Sequence, residues 1–304
     1  MNSPKLSFEF FPPRNEAQKR RFWHTLGCLE TLNPEWVSVT WGALGADNQP
    51  SLDILRELDS ESTLPVAAHL TCYGCTKANL LRRLTALQSM GINHVVALRG
   101  DKPDDSDLSR KSQNSASCLP VDSGLKSKPV ETLQYAEELV SLINQASGMD
   151  ISVAAYPESH PESKDQEADL LNLKHKLDAG ASRALTQFFF KAETFLTWRD
   201  KAVSMGIDKP LVPGILPIHD IDRVQVFARK CGTHVPAWLV SKYEKCGTSK
   251  SARRALSLDL ATELCETLRS EGVDDFHIYT LNQSGLAYAL GKRLSSKVSE
   301  SVAA

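Results

Sequence analysis

Short runs of β-branched and aromatic residues alternate along the chain with longer stretches in which apolar positions recur every three or four residues. The short runs predict strands at 6–11, 36–40, 66–70, 94–98, 151–156, 184–189, 211–215 and 276–280. The longer patterns predict helices at 15–31, 76–89, 131–145, 165–178, 191–204, 221–230, 251–270 and 284–290. The second of these carries Leu80, Leu81, Leu84 and Leu87 on one stripe, with Gly91 just past its end as a stop signal. Strands that alternate with helices pair in parallel and need crossover helices. Eight such units in a chain of 304 residues match a (β/α)8 barrel, an α/β TIM barrel formed as a single domain over 1–304. A doubly wound open sheet is the competitor. It announces itself with a glycine-rich turn after the first strand, and here that turn reads Phe11-Pro12-Pro13-Arg14. Two stretches fall outside the pattern: a polar segment at about 101–130, read as a long loop holding Cys118, and 295–304, read as a frayed tail.

Composition narrows the function. Lys and Arg number 35 against 37 Asp and Glu, a net charge of −2. No global basic field exists to gather nucleic acid. Hydrophobic residues make up 41% and charged residues 24%, the balance of a globular chain rather than a disordered one. No apolar run reaches the ~18 residues of a membrane span, and the N-terminus lacks the layout of a signal peptide. Seven cysteines without framework spacing fit reduced thiols in the cytoplasm.

In a barrel the active site forms at the C-terminal mouth, so polar residues at strand ends carry the chemistry. Alternation along the first strand sets Leu6, Phe8 and Phe10 on one face and Ser7, Glu9 and Phe11 on the other. The apolar face belongs under the helices, which points Glu9 into the barrel. Apolar surroundings there should raise its pKa and suit it to general acid work. The alternative is a structural ion pair with Arg99 or a lysine. Arg99-Gly100-Asp101 ends the fourth strand, either as a loop-closing pair or as a ligand contact. Asp169, Asn172, His175 and Lys176 follow at spacings of three and four, a polar helical face suited to phosphate or ribose hydroxyls or simply to solvent. His69 has no paired ligand spacing and fits an organic-ligand contact or a structural histidine better than a metal site. Cys72-Tyr73-Gly74-Cys75 lacks the second CxxC that a zinc site needs. No metal is expected.

These segments together resemble the methylenetetrahydrofolate reductase family. The resemblance lies in 7–14 (SFEFFPPR), 37–40 (VSVT), 68–72 (AHLTC), 97–101 (ALRGD), 154–158 (AAYPE) with 160–162 (HPE), 168–174 (ADLLNLK), 186–190 (TQFFF), 213–217 (PGILP) and 276–282 (FHIYTLN). It implies a barrel that binds FAD, takes electrons from NAD(P)H and reduces 5,10-methylenetetrahydrofolate to 5-methyltetrahydrofolate by ping-pong kinetics. By motif it implies Glu9 as general acid and Asp101 beside flavin and pterin. It sets Gln187 and Phe227 in the shared substrate site and Thr40 where substrate and flavin contacts meet. It sets Trp41, Ala43, His69, Arg99, Gly100, Tyr135, Ala136, Tyr156, His160, Ser163, Asp169, Asn172, His175 and Lys176 at FAD. It also implies the short bacterial form, a place in one-carbon metabolism towards methionine, and a homo-oligomer.

Several positions depart from the family pattern. Trp41 replaces a tyrosine and His175 an arginine. Gln283 stands where some members carry an arginine for the folate tail, and Arg223 where those members carry glutamine. The expectation is that the positive charge has moved from 283 to 223. Two other readings remain open at this point: a flavin-free folate barrel of the methyltransferase kind, and a non-catalytic subunit of a folate complex.

Overall fold

A computed structural model describes residues 3–40, 49–100 and 132–301. The strands are β1 Lys5–Phe10, β2 Trp36–Val39, β3 Val66–Thr71, β4 His94–Leu98, β5 Asp150–Ala155, β6 Arg183–Phe188, β7 Leu211–Ile215 and β8 Asp275–Tyr279. All neighbours pair in parallel, and β8 returns to β1, so the sheet closes into the expected eight-stranded barrel. The helices among the described residues are α1 Glu16–Glu30, α2 Gln49–Glu61, α3 Lys77–Ser89, α4 Ala136–Ala146, α5 Gln166–Asp178, α6 Ala192–Ser204, α7 Ile221–Cys231, α8 Ala237–Lys245, α9 Lys250–Ser270 and α10 Ser284–Ser301. None of them is long and apolar enough to cross a membrane.

Three helical expectations change. Helix α2 is absent from the sequence reading, although Leu52, Ile54, Leu55 and Leu58 recur at helical spacing. It buries Ile54, Leu55 and Leu58, and proline is tolerated in a first helical turn. Helix α8 is also absent from the sequence reading, because it is short and follows Pro236, too brief for a periodic pattern. Helix α10 runs to Ser301, through most of the stretch expected to fray. Leu294 of this helix is buried, and its carbonyl accepts from Arg269 of α9. The predicted loop at 101–130, with Cys118, lies outside the described residues.

The alternation of β1 does what its sequence dictates. Leu6, Phe8 and Phe10 are buried beneath the helices, with the Phe10 ring 4.9 Å from Phe22 of α1. The opposite face of the sheet fills the barrel. Its apolar part is small: Ala67, Val96, Leu185 and Val212, with Trp36 and Leu98 against them. The rest is polar and still buried, with Ser7, Ser38, Ser152, Thr186 and His277 at 0% exposure. Most such groups are hydrogen-bonded, the Ser38 hydroxyl being an exception. Ser7 accordingly meets His277 Nδ1 at 2.8 Å, Ser152 meets His94 Nε2 at 2.8 Å, and Thr186 Oγ1 accepts from the Gly214 N–H at 2.9 Å. Trp36 stacks on His277 at 5.1 Å and stands edge-on to His94 at 4.6 Å, filling the barrel's middle.

Between β6 and β7 the register shifts, and Gly214 comes to lie opposite Phe188. A Cβ on Gly214 would overlap the Thr186 carbonyl oxygen and press on the Tyr279 ring. Gly214→Ala should therefore destabilise the barrel by about 1–3 kcal/mol, the usual cost of overpacking. Urea unfolding reads this as a lower midpoint, and an unchanged midpoint would contradict the packing described.

Candidate active site

Glu9 is the second-last residue of β1 and points into the barrel at its mouth. Its side chain is 14% exposed, and its Oε2 lies 3.4 Å from His69 Nε2 on β3 and 3.5 Å from His277 Nε2 on β8. Neither imidazole nitrogen has another hydrogen-bond partner among the described residues, so both are aimed at this carboxylate. The alternative partners, Arg99 or a lysine, are not the ones used. The expected rise in the Glu9 pKa is also corrected. Burial does push the carboxyl up, but the His277 contact and the attraction of His69 and His277 outweigh it, and Glu9 titrates below the ordinary glutamate range. Burial in turn pushes the His69 imidazole down, against the pull of Glu9.

The backbone around Glu9 is equally fixed. Its carbonyl accepts from the Thr280 hydroxyl at 2.7 Å and from the Thr280 N–H at 3.2 Å. Tyr279, the register partner of Glu9, donates its hydroxyl proton to the Thr186 carbonyl at 2.8 Å. Tyr279 stands edge-on to both His277 and Phe188. Burial drives its phenol well above the usual value, so it stays neutral.

A second group lines the mouth beyond β4, β5 and α5. Arg99 pairs with Glu162 at 2.8 Å. Gly100 follows at a φ of +86°, where a side chain would press on Thr71. The His160 N–H donates to Asp169 Oδ2 at 3.1 Å, and the His160 ring stands edge-on to Tyr156 at 4.7 Å. Lys176 donates to the Ala154 carbonyl at 2.6 Å. Burial pushes its ammonium down to about 8, with Asp169 pulling the other way. Burial also pushes the Asp169 carboxyl up. Arg99, Glu162, Asp169 and Lys176 all act on the charge of His160, so the five form one electrostatic cluster.

The remaining predicted residues scatter around this mouth. Thr40 follows β2 and its N–H donates to the Phe10 carbonyl at 2.9 Å. Gln187 sits at the end of β6 and accepts from the Phe188 N–H at 3.0 Å. Phe227 is 41% exposed on α7 and stacks on Phe188 at 5.5 Å. Arg223 lies one turn earlier on that helix, 89% exposed and 3.5 Å from Asp220. Gln283 is exposed in the turn before α10. Tyr135 caps α4, which begins at Ala136, and is 66% exposed. Ser163 donates to the Asp165 carbonyl at the start of α5.

The polar face expected on α5 divides. At 3.6 residues per turn its four residues spread over about 120°. Asp169 and Lys176 turn to the barrel wall, while Asn172 and His175 are exposed, with His175 3.9 Å from Glu137. Trp41, Ala43 and Asp101 lie outside the described residues. The CxxC cysteines are both buried, and burial pushes the Cys72 thiol up to about 12, the reverse of a reactive thiolate. His277, Tyr279 and Asn282 were legible in the sequence only as parts of a motif. The signal that could have singled them out is the alternation of β8, which turns Phe276 and Ile278 outward and His277 and Tyr279 inward.

A carboxylate, two imidazoles and a linked set of charged side chains around one mouth suit proton transfer next to a polar organic ligand. Comparisons with known proteins narrow this further. The profile of the family described as "Methylenetetrahydrofolate reductase" matches residues 1–295. The "5,10-methylenetetrahydrofolate reductase" of Escherichia coli (strain K12) is 40% identical over 285 residues, covering 94% of this chain and 88% of that protein. The enzyme of the same name from Pectobacterium carotovorum gives the same figures, 40% identity with 94% and 88% covered. "Methylenetetrahydrofolate reductase (NADH) 1" of Arabidopsis thaliana is 31% identical over 98% of this chain, which spans 50% of that protein. Among solved structures, a Clostridium thermocellum protein described as binding two copies of 5-methyl-5,6,7,8-tetrahydrofolic acid superposes with a TM-score of 0.58 at 15% identity, covering 98% of this chain and 96% of that one, a likeness of fold. With a family match across nearly its whole length and reductases 40% identical over 94% of it, the chain belongs to the methylenetetrahydrofolate reductase family, and its reaction is the reduction of methylenetetrahydrofolate.

Proposed function

We propose that this protein binds FAD at the barrel mouth and uses it to move a hydride from NAD(P)H to 5,10-methylenetetrahydrofolate, one substrate following the other at the same site. The observation that carries this reading is the placement of Glu9, buried between His69 and His277 and open on one side to the mouth. The donor set beside it fits a dinucleotide. Arg99, His160 and Lys176 offer cationic or N–H donors to phosphates, and Gly100 lets a ligand approach the backbone. By resemblance, Trp41 and Ala43 would contact the flavin and Asp101 would act near flavin and pterin. Phe227 and Gln187 form the folate side, with Arg223 exposed beside Asp220 as the cation for the tail carboxylates. When bound, FAD supplies the two-electron carrier that no side chain of this protein provides.

The residues supply the proton. Methylenetetrahydrofolate does not accept hydride while its five-membered ring is closed. Glu9 gives a proton to N10, the bond between N10 and the bridging carbon breaks, and the iminium left at N5 is a good hydride acceptor. A carboxyl below the ordinary range is a strong acid that is seldom protonated. A folate stacked over the mouth removes the water still touching it and strengthens the upward push of burial.

The test is spectroscopic. Anaerobic protein loaded with FAD should bleach on NADH or NADPH and regain its colour on methylenetetrahydrofolate. Failure to bleach would overturn the proposal. In Glu9→Gln the bleaching should survive while recolouring slows by about 10²–10⁴-fold, the range for losing a general acid. Equal loss of both steps would mean that Glu9 only supports the fold. The Lys176 ammonium adds a pH dependence. It is charged below about 8, and the charge favours the phosphates, so FAD affinity should fall as pH rises through that value, by at most about tenfold per pH unit. Fluorescence titration at pH 7 and pH 9 checks this, and Lys176→Met should flatten the difference. A wild-type affinity that is flat or rises with pH would contradict the assignment.

A further inference from the structure

The ladder between β1 and β8 ends at the pair Glu9 and Tyr279, yet the two chains stay joined beyond it. Past the Thr280 bonds to the Glu9 carbonyl, the joint is one side chain. Asn282 Oδ1 accepts from the Phe11 N–H at 2.8 Å, and Asn282 Nδ2 donates to the Phe11 carbonyl at 2.8 Å. Both polar groups of the Phe11 peptide are thus closed by a single amide at the point where strand pairing has run out.

Asn282 is itself held from three directions. Its N–H donates to Thr280 Oγ1 at 3.0 Å, and that same hydroxyl grips the Glu9 carbonyl. Its carbonyl accepts from Thr25 of α1 at 3.3 Å. The Gln283 N–H closes the turn on the Thr280 carbonyl at 2.9 Å. Making this turn requires two successive non-glycine residues in the left-handed region, Leu281 at φ 49° and Asn282 at φ 54°. Asparagine tolerates that conformation; leucine does so rarely, and the strain persists only where the surroundings impose it. Strained backbone in this loop coincides with the clamp, while the barrel itself is already closed by the β1–β8 ladder.

We propose that Asn282 is a positioning residue for folate reduction: its amide clamp on Phe11 holds Glu9 and the loop bearing Gln283 as one rigid unit at the mouth. This rests on the role proposed for Glu9. The donor carboxyl and the folate-facing loop sit on opposite sides of the β1–β8 seam, and the clamp stops them from drifting apart. A misplacement of about 1 Å in a reacting group costs on the order of 100-fold in rate, which is the size of effect expected here.

Asn282→Ala and Asn282→Gly separate the clamp from the turn. Glycine accepts the positive φ but has no amide. If the clamp positions Glu9, both variants keep FAD and their reduction by nicotinamide stays within about threefold of wild type, while folate reduction slows roughly 100-fold in both. Hydrogen exchange should show the Phe11 amide losing protection in each. Two kinetic results overturn the proposal: folate reduction at the wild-type rate in Asn282→Gly, or both half-reactions falling together with loss of FAD, which would make Asn282 a general structural support. Protection of the Phe11 amide that is unchanged in Asn282→Gly also overturns it, because the clamp would then not exist in solution. Failure of the proposed function shows elsewhere, as wild-type protein that does not recolour with folate.

Discussion

A carboxylate inside a closed ring of strands is expensive to bury unless it is paired, and the interior of this barrel is arranged around one such group. Glu9 faces His69 from β3 and His277 from β8. His277 is fixed at its other nitrogen by Ser7 and at its face by Trp36. Trp36 in turn abuts His94, which is tied to Ser152. The polar column therefore descends from the mouth towards the floor of the barrel, where Arg183 and Asp150 pair at 2.7 Å. Many barrels fill this space with branched aliphatic side chains. Here serine, histidine and tryptophan take much of it, because the mouth needs a carboxylate whose orientation is fixed.

The mouth divides into two sides with different chemistry. From β4 to α5 it carries a linked set of Arg99, His160, Asp169 and Lys176, with charges set by burial as much as by each other. From β6 to α7 it carries aromatic surface, with Phe188 packed between Phe227, Phe190 and Tyr279. Glu9 lies on the seam of β1 and β8, where a proton can be delivered to a ligand lying across both sides. The division follows from strand order: each side belongs to consecutive strands, so the polarity of successive β-to-α loops writes directly into the polarity of the mouth.

The barrel was legible because every strand announces itself locally, as a short β-branched or aromatic run between helical stretches. The inward direction of Glu9 was legible for the same reason, since alternation is a property of neighbours in the chain. What escaped depended on contacts between distant segments. The direction of the Glu9 pKa turned on His69 and His277, which come from β3 and β8, and β1 read alone shows only apolar neighbours. Helix α2 is the exception, since Leu52, Ile54, Leu55 and Leu58 lie at helical spacing and carry the signal locally. Asn282 looked like the end of a motif because its partner is Phe11, at the other end of the chain. The face of Asp169, Asn172, His175 and Lys176 was correctly helical in spacing, but only the barrel decides which part of that arc is covered.

The protonation of Glu9 is the most direct point of test. Carbon-13 labelling of the glutamate side chains, with Glu9→Gln to assign the resonance, gives its titration in the ligand-free protein. The structure predicts a midpoint below that of an ordinary glutamate, because the two imidazoles outweigh burial. A midpoint at or above the ordinary value would contradict this account, because His69 and His277 would then not hold the carboxylate in its charged form.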